Sequence, residues 1–338
     1  MQVLYFTLGA LVFALTALDI IKTTFSSNGG GMITSLVSKG VYKAIFLTAG
    51  KKGRSKLLGY AGPAVLVSIL LVWIAGFWLG FFVALLSETD SVVHSVTKTP
   101  AGTVEKLYYA GFTLSTLGIG DYVASNDFWR IVTDVAAYSG LVFITTSITY
   151  FLPVLSAVGL QSTLSLYISG MGKTPQQMLT KSWNGKDFSS FFDNTSDLCQ
   201  MLIKHTMNHH SYPVIHHFHN SQPKLSITPA IVLLDEAYQL LGNALQQDVA
   251  VDEVKMSMLQ TALDSYLEVV REGFLKNASP NEKAPVPDLR LLEEKRIPLK
   301  GKEAVRHYFE QDLGERRKLL TALLEMDGWS WKEVYRPG

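Results

Sequence analysis

Three long apolar runs dominate the first half of the chain, and no run of comparable length follows Val158. Met1 to Ile21 is apolar apart from Gln2, its threonines and Asp19, and as a helix it would extend about 30 Å, the thickness of a bilayer's hydrocarbon core. Leu57 to Leu86 is the second run, with Pro63 near its start and no charge from Ala61 onward. Asn126 to Val158 is the third. Between the second and third lies a shorter helical stretch, Val104 to about Ser115, of roughly 18 Å, too short to cross. From Gly159 on, apolar positions recur at helical spacing over Phe188 to Met207, Pro229 to Leu245 after a Thr228 cap, Asp252 to Leu275 and Leu291 to Met326. Ala278 to Pro287 carries three prolines and reads as a linker.

The pattern predicts an all-α membrane protein with three transmembrane helices, a short re-entrant helix and a cytoplasmic all-helical domain. Its segments are a first crossing over 1–21, a basic loop over 22–56, a two-crossing unit over 57–158 and the helical domain over 159–338. Composition agrees: 48% of the 338 residues are hydrophobic and 17% charged, with mean hydropathy +0.19. That is too apolar for an ordinary soluble chain and too charged for one embedded throughout. A net charge of +1 gives no sign of a nucleic-acid partner. Cys199 alone cannot make an intrachain disulfide.

Charge matters through its location. Lys22 to Lys56 holds seven basic residues and no acidic one, so the positive-inside rule makes this loop cytoplasmic and puts Met1 outside. A cleaved signal peptide is the competing reading of the first run, but no basic residue precedes it and no small-residue cleavage site follows. Asp19 is costly in hydrocarbon and should face protein or water, with Lys22 a candidate partner. Ser26 to Gly31 reads as a flexible turn. Ile33 to Leu47 mixes apolar and basic residues as an interfacial helix would, a solvated face being the alternative.

The stretch Thr113-Leu114-Ser115-Thr116-Leu117-Gly118-Ile119-Gly120-Asp121-Tyr122 follows the short helix, which Thr103 would cap and Glu105 would favour from its first turn. A dinucleotide fingerprint is excluded, because a helix precedes Gly118 and the third glycine is missing. The stretch resembles the filter of potassium channels, Thr-Val-Gly-Tyr-Gly-Asp, and over Ala61 to Val158 the arrangement of crossing, loop, short helix, filter and crossing is similar too. Thr116, Gly118, Gly120 and Asp121 match, whereas Leu117 and Ile119 do not. It also resembles the second pore loop of two-pore-domain potassium channels, which likewise lacks the tyrosine.

The resemblance implies a filter over Thr116, Leu117, Gly118, Ile119, Gly120 and Asp121, in which backbone carbonyls replace the hydration shell of a permeant K+. Glycine reaches the left-handed backbone such a ladder needs, and the Thr116 hydroxyl would be the lowest ligand. One loop gives a quarter of a ring, so the resemblance implies a homotetramer. It also implies a hinge at Gly140 and a kink at Pro153 in the inner helix. Ile119 lacks the hydroxyl that braces such filters. Thr145, Thr146, Ser147 and Thr149 would line a wet cavity or bond back to the helix backbone. No crossing carries spaced arginines, so voltage sensing is not expected.

In the C-terminal half, Gly170 to Thr174 ends like a phosphate-binding loop, but Tyr167 occupies the first glycine position and Pro175 follows. Thr174 instead caps a helix, with Gln177 reaching back. His205 and His209 lie one helical turn apart in a six-histidine cluster, a candidate metal or proton-sensing site. No nucleophile, base and acceptor grouping suggests an enzyme. The expectation is a potassium channel in the bilayer without a cofactor. A non-selective monovalent cation channel, or a non-conducting membrane-anchored sensor, are the alternatives.

Overall fold

A computed structural model describes residues 1–26, 29–276 and 280–335. The chain is mostly helical and divides into two compact units, one of residues 1–41 and 63–154, the other of 42–62 and 155–338. Among the described residues, three helices are long and apolar enough to cross a membrane: Gln2–Phe25, Lys56–Leu85 including its initial tight turn, and Asp127–Met171.

The first unit contains α1 (Gln2–Phe25), most of α3 (Ala61–Leu85), the short α4 (Thr103–Leu114) and the first part of α5 (Asp127–Met171). The all-α expectation needs one amendment: β1 (Val92–His94) pairs antiparallel with β2 (Tyr122–Ala124), bringing the loop before α4 beside the chain that follows it. Helices α1 and α3 meet through small residues. A Cβ on Gly9 would lie 2.4 Å from the Ala84 nitrogen, and one on Gly76 would lie 2.3 Å from the Thr16 hydroxyl. Gly76 and Gly80 therefore form a small-xxx-small stripe that lets backbones approach, a common packing device in membranes.

Asp19 does not use Lys22. Its carboxylate accepts from the Ile33 amide at 2.8 Å, the Thr34 amide at 3.1 Å, the Thr34 hydroxyl at 2.6 Å and the Trp73 indole at 3.0 Å. It thus satisfies the N-terminal amides of α2 (Met32–Thr48) from a neighbouring helix. The Thr23 hydroxyl adds the Gly31 amide at 2.8 Å. A charge placed in a crossing is acceptable here because four donors and a helix terminus surround it. Ser27 and Asn28, within the expected Ser26 to Gly31 turn, lie outside the described residues.

Several expected boundaries moved, each for a local reason. The third crossing helix continues to Met171 rather than ending at Val158. Gly102, not Thr103, is the N-cap of α4, and Thr103 is its first residue. Ser226 precedes α9 (Ile227–Asn243), and the Thr228 hydroxyl goes to the Asp327 carboxylate. The pattern over Leu291 to Met326 breaks at Pro298 into α11 (Arg290–Glu294), α12 (Lys302–His307), a π turn over 308–312 and α13 (Gly314–Met326). Thr174 accepts from the Gln177 amide at 3.1 Å, and Gln177 reaches back to the Lys173 amide at 3.3 Å, as a capping box does. Of the expected linker, Ala278 and Ser279 lie outside the described residues, and Asn281 and Glu282 donate their amides to Glu325.

The second unit is built around α9, buried along nearly its whole length. Packed with it are α8 (Thr195–Ser211), α10 (Glu253–Phe274) and α13. Two consecutive buried acids on α9 meet two consecutive arginines on α13. Arg316 binds Asp235 and Asp264, both at 2.5 Å, while Arg317 binds Glu236 at 2.8 Å and lies over the Phe309 and Trp331 rings. Pairing is what makes such burial tolerable.

Replacing Asp19 by alanine strips the α2 amides, the Thr34 hydroxyl and the Trp73 indole of their acceptor. The expected loss is about 3 kcal/mol, read as a lowered midpoint in thermal melts of the detergent-solubilised chain. An unchanged midpoint would show that the cap carries no stability.

Candidate functional site

The site is assembled by the end of α4. Three backbone bonds close that helix: Ser115 N to Gly111 O at 3.0 Å, Thr116 N to Thr113 O at 3.0 Å and Leu117 N to Phe112 O at 2.9 Å. The last two form the paired closure of a Schellman motif, which requires a left-handed residue at the position Thr116 occupies. Thr116 has φ +59°, an uncommon conformation for a β-branched residue. Gly118 and Gly120 follow at φ +58° and +83°, whereas Leu117 and Ile119 are not in the left-handed region. Left-handed residues thus stand at every second position, beginning where the helix is capped.

The short helix is held at both ends. Near its N-terminus the buried Lys106 ammonium donates to the Leu85 carbonyl at 3.1 Å, where α3 ends, and to the Glu88 carbonyl just beyond it. The Glu88 carboxylate accepts from the Trp129 indole at 2.7 Å, which joins α3 to the start of α5. Along the middle of α4, the Tyr109 hydroxyl bonds Thr133 of α5 at 2.9 Å, and Trp78 of α3 donates to the Leu107 carbonyl at 2.9 Å. Gly140 lies against the C-terminal end of α4, since a Cβ on it would fall 1.9 Å from the Leu114 carbonyl oxygen. Its want of a side chain is thereby explained by a backbone approach within a continuous helix.

Beyond the glycines, Asp121 accepts from the Tyr122 amide at 3.0 Å, and the Tyr108 ring of α4 stands edge-on to the Tyr122 ring with centroids 6.4 Å apart. The Asp121 carbonyl takes the Ser95 amide at 2.8 Å, tying the loop to the β pair. Tyr108, Tyr109, Thr133 and Lys106 were absent from the sequence reading. The nearest signal for them was the Tyr108-Tyr109 pair at the centre of the short helix. Leu117 and Ile119 are 67% and 50% exposed in the single chain, so the loop presents two apolar side chains with no cover of its own. Pro153 lies within α5, where its ring leaves the Thr149 carbonyl without the usual amide. Thr145 bonds back to Leu141 at 3.2 Å and Thr149 to Thr146 at 2.9 Å.

Residues 68–157 match the family model described as ion channel. Over this segment the chain is similar to that family. The matched segment contains the short helix, the loop with alternating handedness and the first part of α5. Over almost its full length the chain is also similar to an uncharacterized membrane protein, YdjJ, of Bacillus subtilis strain 168. The two are 28% identical over 329 residues, covering 97% of this chain and 95% of that one. No solved structure matches. The protein is a membrane protein, and its ion channel segment points to transport rather than catalysis.

The histidine cluster belongs to the second unit. His205 on α8 stacks on Tyr266 of α10 with centroids 5.6 Å apart, and neither of its ring nitrogens has a hydrogen-bond partner. His209 meets His216 at 3.2 Å between nitrogens, and His216 stacks on Phe274 at 4.0 Å. Among the described residues, no group of three or more His, Cys, Asp or Glu side chains is placed to hold a metal ion. Burial pushes the His205 pKa down to about 4 and that of His216 to about 3, while His209 is held well below the usual range by burial and then by its histidine neighbours. These rings are packing groups kept neutral.

That burial has a pH signature. Below about pH 6.5 an unfolded His205 takes a proton that the folded one refuses, so its contribution to stability is lost as pH falls toward 4. His205→Phe keeps the stacking and removes the proton site. The variant should therefore gain about 3 kcal/mol over the parent between pH 7 and pH 4 in chemical denaturation. Comparing variant with parent separates this effect from Asp235, Glu236 and Asp327, whose pKa values burial raises. A pH-independent difference would contradict the assignment.

Proposed function

We propose that four copies of this chain form a cation channel in which the loops from Thr116 to Asp121 converge as a filter, with K+ as the favoured ion. The observation that carries this reading is the run of left-handed residues at 116, 118 and 120 directly after a helix too short to cross. In this reading α4 is re-entrant, and the negative end of its dipole faces the ion path. The helix keeps its Leu114 and Ser115 carbonyls out of the Schellman bonds, which adds to that field. Thr116 lies toward the cavity, while Gly120 and Asp121 lie toward the outside. The basic stretch from Lys22 to Lys56 supports an orientation with the second unit in the cytoplasm.

Exposure of Leu117 and Ile119 supports the fourfold arrangement, because apolar side chains behind a carbonyl ladder need cover from neighbouring copies. The Asp121 bonds to the Tyr122 and Ser95 amides supply, at the end of the loop, a brace that Ile119 lacks. In this reading Gly140 is where α5 bends during gating, and Pro153 weakens the same helix further in.

The decisive experiment is ion flux into liposomes holding only the purified protein. Potassium-driven flux is expected, with a reversal potential that shifts at least several-fold more for K+ than for Na+ gradients. Equal shifts would make the pore non-selective, and no flux of any monovalent cation would leave a non-conducting sensor. Gly118→Ala adds a Cβ at a left-handed position, costing about 1 kcal/mol or more in each of four loops. It should abolish selective flux while leaving the oligomer intact by crosslinking; full retention of selectivity would contradict the assigned backbone.

A further inference from the structure

Helix α2 is turned inside out relative to a helix on a water-soluble protein. At 100° per residue, Met32, Leu36, Lys39, Lys43 and Leu47 fall within an arc of about 80°. Met32, Leu36 and Leu47 on that arc are 82%, 74% and 53% exposed, and both lysines are exposed as well. The far side carries Thr34, Ser38 and Tyr42, which are 4%, 5% and 8% exposed. Hydroxyl groups therefore face inward, where they have partners. Thr34 bonds Asp19, Ser38 bonds the Thr34 carbonyl at 2.7 Å, and Tyr42 bonds Asp327 at 3.3 Å. Packing has fixed the rotation of this helix from its buried side, so the apolar stripe is its outward face by construction.

We infer that this stripe lies on the inner leaflet and is a docking surface for anionic lipid headgroups. Two observations select that occupant over water or protein. First, the stripe sets two lysines between apolar side chains at one-turn spacing, so that Met32, Leu36 and Leu47 reach the acyl boundary while Lys39 and Lys43 extend to phosphate oxygens. Second, no acidic residue occurs from Lys22 to Lys56, so nothing local neutralises these lysines. Arg54, by contrast, is already engaged by Glu333 at 3.5 Å. The helix also begins at a cap supplied by the end of a crossing helix, which holds it at the membrane surface. The inference rests on the cytoplasmic orientation proposed above and is independent of whether the loop conducts.

A test reads lipid contact directly. The full chain with Leu36→Cys, labelled at that position with bimane, is reconstituted in vesicles containing brominated phosphatidylglycerol or brominated phosphatidylcholine at equal mole fraction. Quenching by the anionic lipid should exceed that by the zwitterionic one by about twofold or more, and Lys39→Gln with Lys43→Gln should bring the ratio near one. Inorganic phosphate added at constant ionic strength should leave the ratio unchanged. Absence of quenching by either lipid would show that water or a second copy covers the stripe. Equal quenching in the parent would remove the headgroup preference, and loss of preference on adding phosphate would assign the site to a free anion; each overturns the inference. No outcome depends on ion flow, so failure here is separate from failure of the channel reading.

Discussion

The closure of one short helix governs the loop on which the functional reading depends. A helix that stops inside a membrane must satisfy its last carbonyls or leave them exposed in a medium without water. Helix α4 does both: Phe112 and Thr113 receive amides from Leu117 and Thr116, while the final carbonyls are left for the helix end. Making those two bonds requires a left-handed residue at 116, and the glycines at 118 and 120 repeat that handedness at every second position. In the proposed channel the filter backbone is thus a continuation of a helix cap. Strain at Thr116, of about 1 kcal/mol or more, falls in that proposal where a hydroxyl is wanted at the base of the ladder.

Such a backbone holds its shape only if the helix bearing it does not move. Contacts from Lys106, Trp78, Tyr109 and Gly140 restrain α4 against α3 and α5 along its length. Two of them are polar side chains satisfying carbonyls, and one is the absence of a side chain. The restraint also carries an implication for motion. Because Tyr109 and Leu114 touch α5 at Thr133 and Gly140, a change in the inner helix is felt at the base of the loop through direct contacts.

Much of this architecture is legible in the amino-acid sequence. Crossings, short helix and loop glycines followed from hydropathy, length and spacing, because each is dictated by bilayer thickness or backbone sterics. Single side-chain partnerships were less accessible. Asp19 invited pairing with the nearby Lys22, yet its partners include the amides of a helix that starts thirteen residues later, at Met32. Thr103 and Thr228 had the residue type of caps, but tertiary partners and a neighbouring glycine or serine took that role. The inverted rotation of α2 was hidden because its sequence mixes apolar and basic residues without saying which face is buried. His205 and His209 have one-turn spacing on a helix, but the sequence does not show that they pack on Tyr266 and Phe274.

The central claim is that carbonyls from Thr116 to Gly120 coordinate a dehydrated cation on a fourfold axis. Anomalous diffraction from crystals of the assembled protein grown in thallium addresses it most directly, since Tl+ substitutes for K+. The account predicts a column of anomalous peaks on the axis between successive carbonyl rings at 116, 117, 118 and 119, the lowest flanked by the four Thr116 hydroxyls. An assembly without fourfold symmetry, or a fourfold axis with no peak between those rings, would contradict it.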